Sequence, residues 1–457
     1  MILPLILIIG FAIGGMPLFC CLAAVGLFGL THSGNPLSAA GIPDVYGKLT
    51  GAEAVNLSTI PLFTFAGYLM ASAKTAKRLI RMAEALLGWI PGGLAVMTVW
   101  TCAFFTVFTG ASGVTIVALG GLLLPQLEKS GYGKRFSLEV VTGSGAVGLL
   151  FPPALPLIVY GIIFALNAGQ ASTIDNPLDF SIDRFLFAGI VPGILLLVLL
   201  SIYCIIEGVR SKVPKTKLNL GEFGRGLWEA KWELPIPFAI IAMLVTGFAM
   251  IPETAALTAL YVFIVEVFIY KDIDIKKDLL GITRESMTLV GAIFVKIVGA
   301  TILTAYFVDS GVPQALFEWL GQYVHSQWTF LLVMNVVLLL VGCLMDIFSA
   351  IVVVVPLIVP AAATFHIDPY HLGVIFLLNL EIGYLLPPAG LNLFIAAFRF
   401  NRPITSLYRA VLPFILIMAF TLALVTYIPQ LTVVPADHKP KPPATAPAVP
   451  ALDPLAP

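Results

Sequence analysis

Charged residues are scarce in this chain. Asp, Glu, Lys and Arg make up only 11% of its 457 residues, whereas hydrophobic residues make up 59%. Soluble domains carry about 25% charged residues, so this composition excludes a protein whose entire surface meets water. Apolar stretches of about 20 residues recur along the chain, which is the length that crosses about 30 Å of hydrocarbon. The sequence therefore predicts an all-α polytopic membrane protein that has the lipid bilayer as its solvent.

An excess of positive charge, cysteine frameworks and enzyme motifs are also lacking. Basic and acidic residues both number 25, and this balance predicts no binding of nucleic acid. The 5 cysteines lie in apolar segments without the spacing of a disulfide or transition-metal framework, so we predict neither, and no other cofactor. His366 and His371 flank one short turn, which we interpret as a solvated loop. The absence of metalloprotease, nucleotide-phosphate and nucleophile-elbow motifs argues against an enzyme.

The two ends of the chain differ in character. The amino-terminal stretch lacks the basic segment of a cleaved signal peptide, so residues 1–54 are predicted to hold an uncleaved first helix and an outer loop. Residues 431–457 are dominated by Pro and Ala and show no apolar periodicity. Such a composition is typical of a disordered, extended tail.

Lysine and arginine concentrate in a few short loops. The basic stretches are 74–81, 129–135, 207–231, 271–284 and 399–409. The positive-inside rule places them in the cytoplasm, and it places the loops 170–184, 309–327 and 364–371 on the opposite side. Residues 88–127 then begin and end inside, whereas residues 328–363 begin and end outside. We predict two re-entrant helical hairpins over these ranges, entering from opposite faces; for the first range a double crossing is the alternative.

A short pattern occurs twice, at an offset of 235 residues. GLLFPPA (148–154) matches GYLLPPA (383–389), and each Pro-Pro pair interrupts an apolar run. We therefore predict broken helices over 138–166 and 372–397. The residues at the helix breaks are Pro152, Pro153, Pro387 and Pro388. Because loop charge orients the two copies oppositely, they form an inverted repeat.

The repeat organises the whole chain. Repeat 1 covers residues 55–206, repeat 2 covers 286–430, and residues 207–285 hold a cytoplasmic connection and two linking spans. A broken helix exposes backbone amides and carbonyls that lipid cannot satisfy, so breaks are found where protein or a polar cavity receives them. Two breaks at corresponding positions of inverted repeats indicate the binding site of a secondary transporter.

Polar residues cluster around both breaks. Hydroxyl, carbonyl and carboxylate oxygens suit a hard cation such as Na⁺, and freed amides at half-helix amino termini suit a carboxylate. The candidate Na⁺ ligands are Ser112, Thr115, Gly148, Gly342, Asp346, Ser349, Gly383 and Gly390. The candidate substrate-binding residues are Ser112, Ser144, Lys296, Asn379 and Asn392.

Ionisable residues in the predicted spans leave alternatives open. Carboxylates such as Asp346 and Glu381 suit protons as the coupling ion instead of Na⁺. Lys296 is the lone cation deep in a span. It either has a function, or it is structural and snorkels to the interface or pairs with Glu381. Glu266, close to Lys271 at the end of its span, is interpreted as an interfacial residue.

Longer stretches around these residues resemble one family of transporters. They are FTGASGVTIVALGGLLLPQLEKSGY, GLLFPPALPLIVYG, GFAMIPETAALTALYVF, MDIFSAIVVVVPLIVP and NLEIGYLLPPAGLNLF, and the likeness runs from about Phe63 to Phe398. They resemble the large, DctM-like membrane subunit of tripartite ATP-independent periplasmic (TRAP) transporters. The resemblance implies a Na⁺-driven importer of a small, dicarboxylate-like organic acid, with an elevator-type mechanism, in the bacterial inner membrane. It also implies two separate partners, a small four-helix membrane subunit and a periplasmic substrate-binding protein.

The chain departs from the family pattern at both breaks. Family members usually carry Ser where this chain has Ala154 and Thr where it has Leu386, so each break lacks a hydroxyl. The number of Na⁺ sites is therefore open. Two other interpretations also stay open. One is a self-sufficient anion or dicarboxylate carrier of related inverted-repeat architecture, coupled to Na⁺ or H⁺; the other is a membrane scaffold or enzyme.

Overall fold

The computed structural model describes most of the chain. It describes residues 16–32, 52–171, 180–213, 220–312 and 326–432, together with positions 46, 47, 50 and 324. Every regular element within these residues is a helix, and they contain no β-strand. The all-α prediction is therefore confirmed. Residues 1–15 of the predicted first helix and 433–457 of the predicted tail lie outside the described residues.

Nine α-helices have described bounds in the part of the chain up to residue 213, together with two 3-10 helices, Ala52–Ser58 and Val147–Leu150. The α-helices are α1 (Leu18–His32), α2 (Thr59–Ser72), α3 (Thr75–Leu87), α4 (Gly93–Thr109), α5 (Ser112–Lys129), α6 (Lys134–Gly143), α7 (Leu155–Ala171), α8 (Ile182–Ala188) and α9 (Ile190–Arg210). In α3 the buried residues Ala76, Leu79, Ile80 and Ala83 recur at steps of three and four, which is the spacing of one helix face. The sequence therefore makes α3 amphipathic, unlike its apolar neighbours.

Ten further helices lie in the described residues after position 219. They are α10 (Leu220–Glu229), α11 (Pro235–Val245), α12 (Ile251–Ile264, continued by a π-turn over Val265–Ile269), α13 (Leu279–Asp309), α14 (Gln327–Leu344), α15 (Ile347–Thr364), α16 (Pro369–Gly383), α17 (Leu391–Phe400), α18 (Ile404–Ala410) and α19 (Leu412–Tyr427). Proline occupies the first turn of α11, α16 and α19, where its missing N–H costs no helical bond.

Several helices are long and apolar enough to cross a membrane. Among the described residues five qualify by length and composition, and up to seven do if each of two bent pairs counts as one span. One bent pair joins Lys134–Leu150 to Leu155–Asn167 at an angle of 41°, and it covers the first predicted broken helix. α11 has only 11 residues, which is shorter than the about 20 residues expected for each of the two linking spans predicted in 207–285. These lengths agree with a multi-pass membrane protein.

Two pairs of consecutive helices are joined by turns of two residues, which we call tips. Tip 1 is the turn at residues 110–111 between α4 and α5, where Gly110 adopts a left-handed φ of 60° that costs glycine little. Tip 2 is the turn at residues 345–346 between α14 and α15. There the Asp346 side chain accepts a hydrogen bond from the backbone N–H of Ser349 at 3.1 Å and so caps α15. Both tips fall inside the ranges predicted as hairpins, and their depth in a membrane stays a prediction.

The Pro-Pro pairs lie where two helices are interrupted. Break 1 comprises residues 144–154 between α6 and α7, and break 2 comprises residues 384–390 between α16 and α17. Proline lacks the N–H for a helical hydrogen bond and clashes with the preceding turn, which explains both interruptions. The surroundings differ, because Pro152–Pro153 is buried whereas Pro387–Pro388 is exposed.

The helix bounds repeat at the offset of the Pro-Pro motifs. α5 and α15 have 18 residues each, and their first residues, Ser112 and Ile347, are 235 positions apart. α6 and α16 begin at Lys134 and Pro369, which are also 235 positions apart. The packing is reciprocal, since α7 packs on α15 and α17 packs on α5. The two halves thus share helix order and packing, and their opposite orientation in a membrane stays a prediction.

A further group of helices lies beside both helix pairs. α13 packs along α1 and α2, and α2 packs along α12. We call these four helices the α13 group. α13 also contacts α15, which belongs to the helix pair α14–α15. α2 contacts α4, which belongs to the helix pair α4–α5. The α13 group therefore contacts both helix pairs.

Candidate functional site

A cavity of about 1120 Å³ opens between the two tips. α2 and α13 of the α13 group form one wall, and the tips, α5, break 2 and α17 form the other walls. Ligand sites for small molecules have volumes of roughly 300–1,000 Å³ or somewhat more, so this space admits a small organic solute. The polar residues that line it are Tyr68, Ser72, Ser112, Glu285, Lys296, Asp346, Tyr384 and Arg399.

Corresponding positions of the two repeats meet at this cavity. Ala111 lies 235 positions before Asp346, and Leu149 lies 235 positions before Tyr384; all four residues line the cavity. The two members of each pair differ in polarity, because repeat 1 contributes Ala and Leu where repeat 2 contributes a carboxylate and a phenol. The carboxylate at the tips therefore comes from repeat 2 alone.

Asp346 holds together the polar groups at tip 2. Its carboxylate accepts hydrogen bonds from the Lys296 ammonium at 2.9 and 3.0 Å. The backbone N–H of Ser349 donates to it at 3.1 Å, and the Ser349 hydroxyl donates as well. The predicted Na⁺ ligands Asp346 and Ser349 and the predicted substrate-binding residue Lys296 are thus one cluster. Because Lys296 pairs with Asp346, the interpretation of Lys296 as a structural partner of Glu381 is wrong.

Tyr384 is a residue of the site that the sequence analysis did not single out. Its hydroxyl accepts a hydrogen bond from the backbone N–H of Ile347, the first residue of α15. Break 2 is thereby tied to tip 2, which lies beside it at the cavity. The sequence did contain a signal for this role, because a tyrosine directly follows Gly383 in the apolar run that the Pro-Pro pair interrupts. A buried phenol needs a polar partner.

A cluster of hydroxyl groups lies behind tip 1. The hydroxyls of Thr106 and Thr115 are 2.7 Å apart, and Thr106 also donates to the carbonyl of Gly145 at 2.9 Å. The Thr109 hydroxyl lies 3.4 Å from that of Thr115, and all three threonines are fully buried. Thr115 was predicted as a cation ligand, whereas Thr106 was not. The sequence signal for Thr106 was its position three residues before Thr109, which places both hydroxyls on the same helix face. Only oxygens meet here, which is the donor set that a hard cation prefers.

Ser112 and Asn392 connect tip 1 to α17. The Ser112 hydroxyl donates to Oδ1 of Asn392 at 2.7 Å. Nδ2 of Asn392 is buried and has no hydrogen-bond partner within the described residues. The two residues, predicted separately from sequence, are therefore in direct contact, and Ser112 lines the cavity.

Two predicted substrate-binding residues lie away from the cavity. Ser144 is fully buried in break 1, where its hydroxyl donates to the carbonyl of Val140 one turn earlier. Asn379 is fully buried on α16 and donates to Oδ1 of Asn335 on α14 at 2.7 Å. Neither side chain lines the cavity, and Asn392 does not line it either.

The predicted glycines lie at close contacts between helices. A Cβ placed on Gly383 would lie 2.5 Å from the backbone carbon of Gly342, so α14 and α16 touch there without side chains. A Cβ on Gly148 would lie 2.2 Å from the carbonyl oxygen of Ala103 in α4. One on Gly390 would lie 2.6 Å from a carbonyl oxygen of break 2. The glycines thus let backbone oxygens and helices approach the breaks closely.

The two positions that lack the family hydroxyl have different surroundings. Ala154 is fully buried, whereas Leu386 is half-buried. The carbonyl of Leu386 accepts a hydrogen bond from the N–H of Gly390 at 3.0 Å and lies 3.4 Å from Sγ of Cys343. Oxygens at this part of break 2 therefore come from the backbone.

Several other ionisable residues are placed by the structure. Glu381 is fully buried, and within the described residues neither carboxylate oxygen has a hydrogen-bond partner, so it stays the candidate for protons. His366 is exposed, but His371 is buried, with Nδ1 2.9 Å from the Thr432 hydroxyl, so the solvated-loop interpretation is wrong for His371. No group of three or more His, Cys, Asp or Glu within the described ranges is arranged to hold a metal ion.

The chain is similar to known proteins over most of its length. Residues 5–431 match the family model described as "Tripartite ATP-independent periplasmic transporter, DctM component". The C4-dicarboxylate TRAP transporter large permease protein DctM of Rhodobacter capsulatus is 32% identical over 433 residues, which are 93% of this chain and 96% of that protein. The isethionate TRAP transporter permease protein DctMQ of Oleidesulfovibrio alaskensis is 31% identical over 426 residues, which are 92% of this chain and 64% of that protein.

A solved structure shares the fold. The crystal structure of the YdaH transporter of Alcanivorax borkumensis superposes with a TM-score of 0.60 over 93% of this chain and 97% of that one. The sequences are 16% identical, so the likeness concerns the fold alone.

Proposed function

The chain belongs to the DctM family, the large permease subunits of TRAP transporters, and we propose that it is the sodium-coupled permease for a small organic acid. The observation that supports this most is the cavity between the two tips, where the Lys296–Asp346 ion pair lies beside corresponding positions of the two repeats. In this proposal the helix pairs and breaks move as an elevator against the α13 group, in the bacterial inner membrane.

Sodium is the proposed coupling ion because oxygen groups are collected at both breaks. The hydroxyls of Thr106, Thr109 and Thr115 and the carbonyl of Gly145 form an all-oxygen cluster at break 1. In repeat 2 the carboxylate of Asp346 at tip 2 and the backbone oxygens of break 2 supply the same chemistry. Both groups of oxygen atoms fit a hard, singly charged cation.

The proposed substrate is an anion of the carboxylate class. Lys296 places an ammonium group in the cavity, where it suits a carboxylate or sulfonate. The two relatives above are named for a C4-dicarboxylate and for isethionate, so succinate and isethionate are the first compounds to test. A small four-helix membrane subunit and a periplasmic substrate-binding protein are the proposed partners; the DctMQ relative, only 64% covered by this chain, supports the former.

The inverted orientation of the repeats gives a direct prediction. Because loop charge places residue 326 outside and residue 277 inside, Ser326→Cys should react with an impermeant thiol reagent only from the periplasmic side, and Lys277→Cys only from the cytoplasmic side. Both positions are exposed. The background should lack the five native cysteines. Labelling of both positions from the same side would contradict the membrane crossing of α13, on which the opposite orientation of the two repeats depends.

Uptake measurements test the function. The chain is reconstituted in proteoliposomes with its small subunit and binding protein, and uptake of succinate and isethionate is followed with and without an inward Na⁺ gradient. Thr115→Val removes one oxygen from the cluster at break 1, so we expect half-maximal uptake to need about two- to tenfold more Na⁺, which corresponds to about 0.5–1.5 kcal/mol. Thr64→Val is the matched control, because that buried hydroxyl bonds only to the carbonyl of Ile60 in its own helix.

The possible results separate the candidate functions. Uptake that depends on a pH gradient and not on Na⁺ would contradict sodium coupling and favour protons on Glu381. Sodium-driven uptake without the binding protein would instead identify a self-sufficient carrier. An equal Na⁺ requirement for Thr115→Val and Thr64→Val would show that the threonine cluster holds no coupling ion.

A further inference from the structure

The Lys296–Asp346 ion pair joins two parts of the molecule across the cavity. Lys296 belongs to α13, which packs along α1 and α2, and Asp346 begins α15, which packs on α7. The two nitrogen–oxygen distances are 2.9 and 3.0 Å, and both groups line the cavity. The side chains are 20% and 33% exposed, so ions in the cavity can reach them although water solvates them only in part.

The Asp346 carboxylate has no capacity left for a cation while Lys296 is bound. A carboxylate offers about four lone-pair sites on its two oxygens. The Lys296 ammonium contacts both oxygens, and the Ser349 N–H and hydroxyl each contact one. A sodium ion can therefore bind this carboxylate only if the ammonium leaves.

The ammonium in turn needs a new anion when it leaves. An ammonium group that loses its carboxylate in a partly desolvated site keeps its charge without compensation, and so does the carboxylate that it leaves behind. If a substrate carboxylate and a sodium ion arrive together, both charges are paired again. The exchange turns one ion pair into two, and a sodium ion that enters with one carboxylate group adds no net charge to the cavity.

We propose that the Lys296–Asp346 pair couples the two ligands by this exchange: Na⁺ replaces Lys296 at Asp346, and the carboxylate of the substrate replaces Asp346 at Lys296. The inference rests on the proposed function and adds how anion and sodium depend on each other. Because such coupling is reciprocal, the anion strengthens sodium binding by the factor by which sodium strengthens anion binding. The pair also holds α13 to α15 in the absence of both ligands.

The test measures sodium binding to the purified full chain. Thermal unfolding is recorded while NaCl replaces KCl at constant ionic strength, with and without succinate, and the Na⁺ concentration for the half-maximal shift is determined. In the wild-type chain succinate should lower this concentration by about fivefold or more, the lower range of typical coupling. In Lys296→Met the concentration should already be low without succinate, and succinate should not change it further.

A control and a second variant make the result decisive. Arg284→Met removes a positive charge from an exposed position of the same helix and should behave like the wild type. Lys296→Met/Asp346→Asn leaves neither charge unpaired, so it should fold even if Lys296→Met does not, and it should show no effect of succinate on sodium binding.

The outcomes differ from those that would overturn the proposed function. A wild-type effect of succinate in Lys296→Met or in the double variant would overturn the exchange, as would a wild-type chain in which succinate leaves sodium binding unchanged. Sodium-driven uptake would still stand in those cases. Uptake that is independent of sodium in the wild-type complex would instead overturn the proposed function itself.

Discussion

Replacing Arg78 by methionine is expected to lower the free energy of unfolding by about 3–5 kcal/mol, because it leaves buried carboxylates without their cation. The Arg78 guanidinium on α3 contacts the carboxylates of Glu233, of Glu266 at 3.3 Å and of Asp272 at 2.6 Å. These three side chains are at most 5% exposed, so water cannot replace the guanidinium. Methionine keeps much of the aliphatic stem, so the loss reports mainly on charge.

The same cluster ties together segments that are distant in sequence. Glu233 precedes α11, and Asp272 lies between α12 and α13. Burial alone would raise the pKa of Asp272, but hydrogen bonds from Arg78 and Lys74 outweigh it and hold the pKa below its ordinary value of 3.8. The stabilisation from Asp272 is therefore complete above that value, and it is lost as the pH falls through the lower pKa of the folded state.

Arg81 supplies the matched control on the same helix. It pairs with Glu222 at 3.0 Å and Glu229 at 2.7 Å, but these side chains are between 34% and 48% exposed. Water compensates the loss of an exposed pair, so Arg81→Met should leave stability almost unchanged. Denaturant unfolding of the purified chain in detergent micelles compares the two variants. Equal stability of Arg78→Met and Arg81→Met would show that the buried cluster is not held by Arg78.

Gly148→Ala is expected to have the second large effect. The added Cβ would lie 2.2 Å from the carbonyl oxygen of Ala103 and 2.7 Å from Cβ of Thr106, so break 1 must move away from α4. Overpacking of this kind costs about 1–3 kcal/mol, and contact with backbone, which cannot rotate aside, places the change at the upper end of that range. Because the Thr106 hydroxyl bonds to Gly145 in the same break, we also expect sodium-driven uptake to be lost.

Gly291→Ala is the control for the glycine substitution. Gly291 lies within α13, and a Cβ there would meet nothing within 4 Å. Alanine favours helix over glycine by up to about 1 kcal/mol, so this variant should be as stable as the wild type or more stable. Unfolding and uptake of both variants are measured side by side. Wild-type behaviour of Gly148→Ala would mean that break 1 does not need its close contact with α4.

The sequence predicted the helix breaks because proline acts locally. Loss of an N–H and a clash with the preceding turn follow from the residue itself, so the Pro-Pro pairs located both interruptions without any tertiary information. Their spacing also anticipated that α5 and α15 begin 235 positions apart. The surroundings of the pairs were not predictable, since the burial of Pro152–Pro153 and the exposure of Pro387–Pro388 depend on neighbours from other parts of the chain.

Charge pairs were the least predictable part of the site. Sequence indicated that Lys296 and Asp346 were unusual, but 50 residues separate them, and only the packing of α13 against α15 makes them partners. Glu266 illustrates the same difficulty, because its position near Lys271 at the end of a span suggested an interfacial residue. In the folded chain Glu266 is buried beside Arg78, which is 188 positions away. The sequence thus shows that a buried charge needs a partner, but only the tertiary structure determines which residue that partner is.

The contact between Gly342 and Gly383 has a consequence for the gene. Any base change at the first or second position of a glycine codon introduces a residue with a Cβ, or a stop. At Gly383 that atom would lie 2.5 Å from the backbone of Gly342, and at Gly342 it would lie 3.0 Å from Cα of Leu380. No such replacement fits without moving α14 away from α16, beside the break that follows Gly383. While that contact is under selection, these two codons can drift only at their silent third base.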